Sequence, residues 1–298
     1  MSRKGFLDGF VRCLLLGLVW LLFTGQAQGQ EPRYQGRTFT EWQRDLRDLD
    51  PKVRTRAVEA LKQIGPPAVP ALVQVLRDPD DEVRAVAARA LGGIGLAAQA
   101  AVPALIQALK DAEWSVRWAA AEALGGIGPA AQAAVPALIQ ALGDADTGVR
   151  LAAAEALAKI GPAAKDAVPA LIQVLGDADA GVRLAAAHAL REIGPAAKDA
   201  APALIQVLGD ADEWVRKSAA LALGAIGPAA EAAVPALIQA VGDADAGVRL
   251  AAAHALREIG PAAKDAVPAL GQALNDADKW VRENTRSEER RVGKECRL

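Results

Sequence analysis

The sequence predicts an all-α protein, a right-handed α-solenoid of stacked antiparallel helix pairs. The first observation behind this prediction is a Val-Arg pair that recurs every 33 residues from Val83-Arg84 to Val281-Arg282, with Val53-Arg54 lying 30 residues before the series. A proline keeps the same step from Pro70 to Pro268. A fixed period in this range is typical of solenoids, in which each repeat buries its apolar faces against its neighbours.

The repeat is clearest in the stretch Gly176–Ala200, which recurs unchanged at Gly242–Ala266. Its central part predicts an amphipathic helix, because apolar residues follow the i, i+4, i+7, i+8, i+11 pattern of one helical face. Those residues are Val182, Ala186, Ala189, Leu190 and Ile193. We expect Asp177 and Asp179 to supply the N-cap and first-turn carboxylates of this helix. Gly194, which precedes a proline, is its expected C-terminal stop.

The preceding part of the repeat, Val168–Leu175, predicts a second helix whose larger apolar side chains share one face. Pro169 belongs in the first turn of that helix or at a kink, because proline lacks the N–H that a helix interior needs. We expect two-residue Gly-Pro turns such as Gly161-Pro162 to join the repeats. No Ser- or Gly-rich linker divides the array, so the sequence predicts one domain.

The first predicted helix pair, residues 38–65, differs from the others because it lacks the marker proline. Thr38 and Glu41 have the spacing of a capping box, and Trp42 lies on the apolar face of the helix that follows. We expect this pair to cap the N-terminal end of a repeat array that occupies residues 66–285 and whose last repeat is truncated.

A constant spacing links a proline, an aspartate eight residues later, and a Val-Arg pair five and six residues after that. Pro202, Asp210, Val215 and Arg216 are one example. This pattern resembles the HEAT repeat family in its short form, the PBS-lyase HEAT-like repeats, and it recurs seven times along the chain. The resemblance implies a superhelix of stacked helix pairs.

The resemblance also implies a ladder of hydrogen bonds between the aspartates and arginines of successive repeats. The residues that match these positions are Asp111, Arg117, Asp144, Arg150, Asp177, Arg183, Asp210, Arg216, Asp243 and Arg249. The alternative is that each pair is a solvated surface pair, worth less than about 1 kcal/mol.

Residues 1–29 have the pattern of a secretory signal peptide. Basic residues up to Arg12 precede the apolar run Cys13–Phe23, and small and polar residues follow. Because the run is short for a membrane helix, we expect cleavage after Ala27 or Gly29 and no membrane span afterwards. The predicted location is therefore periplasmic or extracellular. An uncleaved anchor is the alternative.

Residues 286–298 break the repeat. The run from Arg286 to Cys296 resembles the conceptual translation of a common sequencing adapter. We therefore expect the natural protein to continue beyond Thr285. A native basic tail that contacts nucleic acid is the alternative.

The charge balance favours a protein or peptide partner over nucleic acid. Of 34 basic and 36 acidic residues, the predicted signal holds 3 and 1 and the tail 5 and 3, which leaves 26 against 32 and a net charge of −6. An acidic array without a basic stripe is not typical of nucleic-acid binding. Both cysteines, Cys13 and Cys296, lie in these two ends, which suits export. We expect a monomer.

The array offers few groups for catalysis. Neither of its two serines lies in a G-x-S-x-G turn, and no phosphate-binding loop occurs. His188 and Glu192 are spaced i, i+4 on one helix face. His254 and Glu258 duplicate them 66 residues later, which is about 20 Å away in a stack of helices and too far to share a metal ion. We therefore predict no catalytic, metal or cofactor site.

The predicted partner-binding surface is the concave side, formed by the second helix of each pair. Counted at about 100° per residue from Val182, Leu184 points away from the core stripe. The equivalent positions, with nearby histidines and the tryptophans at helix entrances, are Trp114, Trp118, Leu151, Leu184, His188, Trp214, Lys217, Leu250, His254 and Trp280. The alternative is that these side chains pack on adjacent helices.

These features together predict a non-catalytic exported scaffold that binds a protein or peptide. Two alternatives stay open. The bilin-lyase subunits share this repeat, which allows an accessory role in chromophore attachment. The array can also be a recruitment or sensor segment of a larger, truncated enzyme.

Overall fold

The computed structural model describes residues 31–274 and 276–283. Within them, helix pairs that follow one another in the sequence stack into an α-solenoid, which confirms the predicted fold class. The predicted signal peptide at 1–29 and the tail at 286–298 lie outside the described residues.

Each pair consists of a short first helix and a longer second helix. The first helices, of 7 residues each, are α1 Phe39–Asp45, α3 Val69–Val75, α5 Val102–Ala108, α7 Val135–Ala141, α9 Val168–Val174, α11 Ala201–Val207, α13 Val234–Ala240 and α15 Val267–Ala273. The second helices, of 14 residues each, are α2 Pro51–Ile64, α4 Asp81–Ile94, α6 Trp114–Ile127, α8 Thr147–Ile160, α10 Ala180–Ile193, α12 Glu213–Ile226 and α14 Ala246–Ile259. Residues 279–283 are also helical and follow α15.

The ends of the second helices are set by an aspartate and a glycine. In α10 the side chain of Asp179 accepts a hydrogen bond from the N–H of Val182 at 3.0 Å and is the N-cap. Asp177 lies before the helix and supplies neither the N-cap nor a first-turn carboxylate, so the expectation was wrong for this residue. Its carboxylate instead accepts the N–H of Asp179 at 2.9 Å. Gly194 ends the helix at φ 69°, a conformation that glycine adopts without strain.

The repeats are not joined by two-residue turns, and that prediction was wrong. Gly161 opens a 3₁₀ segment, Gly161–Ala167, which leads directly into α9 and is kinked at Ala164. Proline at its second position has a φ that suits a helix, so Gly-Pro here starts a helical segment rather than a tight turn. Pro169 lies in the first turn of α9, as predicted.

The core runs along the whole stack because each second helix packs on the second helix of the next repeat. Leucines such as Leu190 fill it, and alanines such as Ala189 allow the helices to approach closely. One close approach is at Gly92 of α4, where an added Cβ would lie 2.6 Å from Cα of Ala123 in α6. The core therefore depends on small residues where helices cross.

A short hairpin precedes the first helix pair, and the expectation of a protein without a β-sheet was wrong here. Strands β1 Arg33–Tyr34 and β2 Arg37–Thr38 pair antiparallel. Gln35 and Gly36 between them have φ values of 50° and 77°, which are typical of a type I′ turn.

The hairpin and α1 together cover the N-terminal end of the stack. Thr38 and Glu41 form the capping box that their spacing predicts. Trp42 is buried, and its indole N–H donates to the carbonyl of Tyr34 at 3.1 Å. The guanidinium of Arg37 lies 4.0 Å from the centre of the same ring. These contacts tie the hairpin to α1.

Candidate partner-binding face and interrepeat ladder

Arginines near the start of the second helices bridge successive repeats. Arg183 of α10 donates from Nε to Oδ2 of Asp210 and from Nη2 to Oδ1 of Asp210, both at 2.8 Å. Its Nη1 donates to the main-chain carbonyl of Asp177 at 3.0 Å. The same two-point contact occurs in Arg54–Asp78, Arg84–Asp111, Arg117–Asp144, Arg150–Asp177, Arg216–Asp243 and Arg249–Asp276.

Each arginine reaches the aspartate of the following repeat, 27 residues later in all pairs but the first. All ten ladder residues singled out in the sequence take part in such contacts. Four more belong to the ladder and were missed: Arg54, Asp78, Arg84 and Asp276. The 33-residue period was sufficient to find Arg84 and Asp276. Arg54 and Asp78 are 24 residues apart because the first unit is shorter.

The pKa values of six ladder aspartates are lowered, and Asp177 shows how. Asp177 accepts two hydrogen bonds from the guanidinium of Arg150, and these lower the pKa of its carboxyl group below the ordinary value against the opposing effect of burial. The N–H of Asp179 lowers the pKa further. Only 12% of the Asp177 side chain is exposed. The pair is therefore a part-buried, charge-assisted contact rather than a solvated surface pair.

The apolar side chains that point away from the core of their own helix form a ridge across the second helices. We call Trp118, Leu151, Leu184 and Leu250 the apolar ridge. All four are half-buried and pack against the core. Part of each side chain therefore packs on adjacent helices, as the alternative interpretation holds. The rest of each side chain is accessible to solvent.

Five of the ten predicted partner-binding residues line one open groove of about 490 Å³. They are Leu151, Leu184, His188, Trp214 and Lys217. Leu221 contributes a third leucine, so that α8, α10 and α12 each present one to the groove. Glu155 and Arg191 also line it and were missed. They follow Leu151 by 4 residues and Leu184 by 7, on the same helical faces, so helical spacing was sufficient to find them.

Trp214 is the most exposed aromatic residue of this groove, with 58% of its surface accessible. Its main-chain N–H donates to the carboxylate of Asp212 at 2.9 Å, which fixes it at the entrance of α12. The Nζ atom of Lys217 lies 5.1 Å from the centre of its ring. An exposed indole on a rigid helix end is a typical anchor for a protein partner.

The other predicted residues lie elsewhere along the same face. Trp114, 54% exposed, and Trp118 line a second groove of about 380 Å³ with Asp81 and Glu82. His254 lines a third, of about 550 Å³. Trp280 is 70% exposed near the last described residues. The predicted residues thus follow one face but do not form a single site.

The two histidines make local contacts. Nε2 of His188 lies 3.4 Å from Oε1 of Glu192, and the corresponding distance from His254 to Glu258 is 3.7 Å. Burial, and secondarily the charge of Arg257, lower the pKa of His254. In the part of the chain that the structure describes, no group of three or more histidine, cysteine, aspartate or glutamate residues is arranged to hold a metal ion.

Two continuous helical stretches, Asp81–Ala108 and Glu213–Ala240, are long and apolar enough to cross a membrane by length and composition. Each consists of a second helix, a 3₁₀ segment and the first helix of the next pair. In each stretch, half of an apolar 18-residue segment is buried inside the stack. Packing in the array accounts for this composition, which makes it weak evidence for a membrane span.

Several solved structures share this architecture. An engineered protein of known crystal structure is 27% identical, covers 86% of this chain and 78% of its own length, and superposes with a TM-score of 0.65. The YibA protein of Escherichia coli is 23% identical over 85% of this chain and 92% of its own, with a TM-score of 0.57. A designed armadillo repeat protein in complex with the peptide (KR)4 is 22% identical over 75% of this chain and 99% of its own, with a TM-score of 0.51.

A search of curated proteins gave no match. The family model for HEAT repeats matches residues 43–102, 102–191, 135–209, 168–257 and 201–287, which together cover nearly all of the described array. The chain therefore belongs to the HEAT repeat family.

Proposed function

We propose that this protein is a non-catalytic scaffold that binds a protein or peptide segment along the face formed by its second helices. The observation that carries the proposal is the groove in which leucines from three successive helices lie beside the exposed indole of Trp214. Clustered leucines and an exposed tryptophan favour burial by a partner, because covering them removes apolar surface from water.

The fold supports the same proposal. The designed armadillo repeat protein, which has a similar solenoid, is in complex with a peptide. In this chain the grooves lie on a rigid array in which neighbouring repeats are fixed by two-point Arg–Asp contacts. A partner therefore meets side chains that are already ordered, which lowers the entropy lost on binding.

The proposal includes export. The basic residues and apolar run of the N-terminal sequence support secretion, followed by cleavage after Ala27 or Gly29. N-terminal sequencing of the protein purified from a secreting host tests this step. A mature chain that still begins at Met1 contradicts it.

Binding is tested by selecting ligands for the full chain from a library of short random peptides and measuring their affinities by titration calorimetry. Trp214→Ala removes the exposed indole and should weaken binding of the selected peptides about tenfold or more, as hot-spot tryptophans do. Because Trp214 is mostly exposed, the free energy of unfolding should change by no more than about 0.5 kcal/mol. Gln173→Ala, on the exposed face of α9, is the matched control. Equal affinities of all three proteins contradict the proposal.

A further inference from the structure

Three members of the apolar ridge lie in consecutive repeats, with one apolar side chain in each. Trp118, Leu151 and Leu184 occupy the same position in α6, α8 and α10, which pack directly on one another. Packed helices lie about 8–10 Å apart. A partner that contacts all three side chains must therefore place an apolar group at this interval, on one side of its own chain.

The period of the ridge selects a backbone conformation. A polyproline II helix has three residues per turn and advances about 9 Å per turn, so every third side chain falls on one face at the spacing of the repeats. Side chains on one face of a β-strand repeat at about 6.7 Å. Those on one face of an α-helix repeat at about 5.4 Å. Residues i and i+7 of an α-helix are about 10.5 Å apart, near the spacing of the repeats, but the i+3 and i+4 side chains between them would fall over a gap between the helices of the array, as would side chains of a β-strand.

We propose that the ridge binds an extended polyproline II segment with an apolar side chain at every third residue. This inference rests on the proposed function and names the class of its ligand. The ridge is continuous with the groove. Leu151 and Leu184 line the groove. Trp118 lies close to α8, because a Cβ added at Gly148 of α8 would be 3.6 Å from Cδ1 of Trp118.

The groove also supplies groups that suit this backbone. Carbonyls in a polyproline II helix have no internal partners and face outward. Trp214 and Lys217, whose side chains carry N–H donors, line the groove. Proline-rich segments bind grooves lined by aromatic rings, because the ring faces pack on the pyrrolidines and the segment loses little entropy. The exposed indole of Trp214 provides such a surface.

Lys217 gives the ligand a second requirement. It occupies the ridge position in α12, directly after Leu184 in α10, and replaces the leucine found in the repeats on either side. Its ammonium group lies over the ring of Trp214, and within the described residues it forms no ion pair. The ligand should therefore carry a carboxylate three residues from its last apolar side chain, in the pattern apolar-x-x-apolar-x-x-acidic or its reverse.

The test uses synthetic peptides and the full chain. One peptide has leucine at every third position, separated by prolines, and ends in glutamate at the next third position. A second has the reverse order. Two controls have the same composition, with leucine at every second or every fourth position. Titration calorimetry should give the period-three peptide, in one of the two orders, an affinity at least about tenfold higher than either control.

The second part of the test reverses the charge at position 217. Lys217→Glu should lower the affinity for the glutamate-ended peptide about tenfold and raise that for a lysine-ended peptide. Lys165→Glu, at an exposed position of a 3₁₀ segment, changes the net charge equally and should leave both affinities unchanged. If the period-two or period-four peptide binds as tightly as the period-three peptide, this inference is overturned and the proposed function stands. If the chain binds none of these peptides and selects none from the random library, both are overturned.

Discussion

The guanidinium of Arg183 and the carboxylate of Asp210 form a two-point contact between neighbouring repeats, with both N–O distances at 2.8 Å. The third nitrogen of Arg183, Nη1, donates to the main-chain carbonyl of Asp177, and the side-chain carboxylate of Asp177 accepts from Arg150 of the preceding repeat. Two successive Arg–Asp contacts therefore connect three repeats. Because the side chains are only 11–16% exposed, the loss of one partner leaves a buried charge unpaired.

Removing one aspartate from the middle of the ladder should destabilise the array. Asp177→Ala leaves the guanidinium of Arg150 without its carboxylate and the N–H of Asp179 without its acceptor. We expect the free energy of unfolding to fall by about 1–3 kcal/mol. Urea unfolding followed by circular dichroism measures the change.

Glu231→Ala is the control for this substitution, because Glu231 is exposed on a 3₁₀ segment. It should change stability by no more than about 0.5 kcal/mol. Equal, negligible losses in Asp177→Ala and Glu231→Ala would show that the ladder contributes nothing to stability.

The ladder also predicts how stability depends on pH. Hydrogen bonds from the guanidinium of Arg150 lower the pKa of Asp177, and the equivalent arginines lower that of Asp144, Asp210, Asp243 and Asp276. A carboxyl group whose pKa is lower in the folded state binds protons more readily when unfolded. Its contribution is therefore complete above the unfolded pKa of about 3.9 and is lost as the pH falls through the folded pKa.

We expect the melting temperature to fall steeply as the pH is lowered below about 4. Asp177→Asn removes one titrating group and keeps a side-chain acceptor for the N–H of Asp179. Its melting temperature should be lower than that of the wild type at pH 7, and the difference should shrink as the pH falls. A difference that is constant from neutral to acidic pH is the contrary result.

Much of the fold was predictable because the 33-residue period repeats the same helix signals. The N-cap aspartates, the terminal glycines and the marker prolines lie in the structure where helix chemistry places them, as Asp179, Gly194 and Pro169 show. The hairpin at Arg33–Tyr34 was missed because strands of two residues are too short to show alternation. The 3₁₀ segments were missed because Gly-Pro starts a turn and a helix equally well.

The candidate site was predictable in position but not in detail. A helical wheel places Leu184 opposite the core stripe of α10, and that direction holds. The wheel treats one helix alone, however, and in the stack α8 and α12 flank Leu184 and bury half of it. Which ridge residues share a groove depends on the lateral spacing of helices, and the period of the sequence carries no information on that spacing.

Two adjacent glycines of α4, Gly92 and Gly93, face different surroundings. A Cβ added at Gly92 would lie 2.6 Å from Cα of Ala123, which is main chain and cannot move without separating α4 from α6. A Cβ added at Gly93 would also lie 2.6 Å from an atom, but that atom is Cε of Lys62, near the end of a flexible side chain. The same substitution should therefore have opposite effects at neighbouring positions.

Gly92→Ala should lower the free energy of unfolding by about 1–3 kcal/mol, because overpacking forces the two helices apart. Gly93→Ala should raise it by about 0.5–1 kcal/mol, because alanine in a helix loses less backbone entropy than glycine and Lys62 can rotate away. Urea unfolding of the two variants and the wild type measures both changes. Because both glycines lie in α4, the comparison is made within one helix. If Gly92→Ala is as stable as Gly93→Ala, then α4 and α6 have room for an extra methyl group, and close contact at Gly92 does not set how tightly the repeats stack.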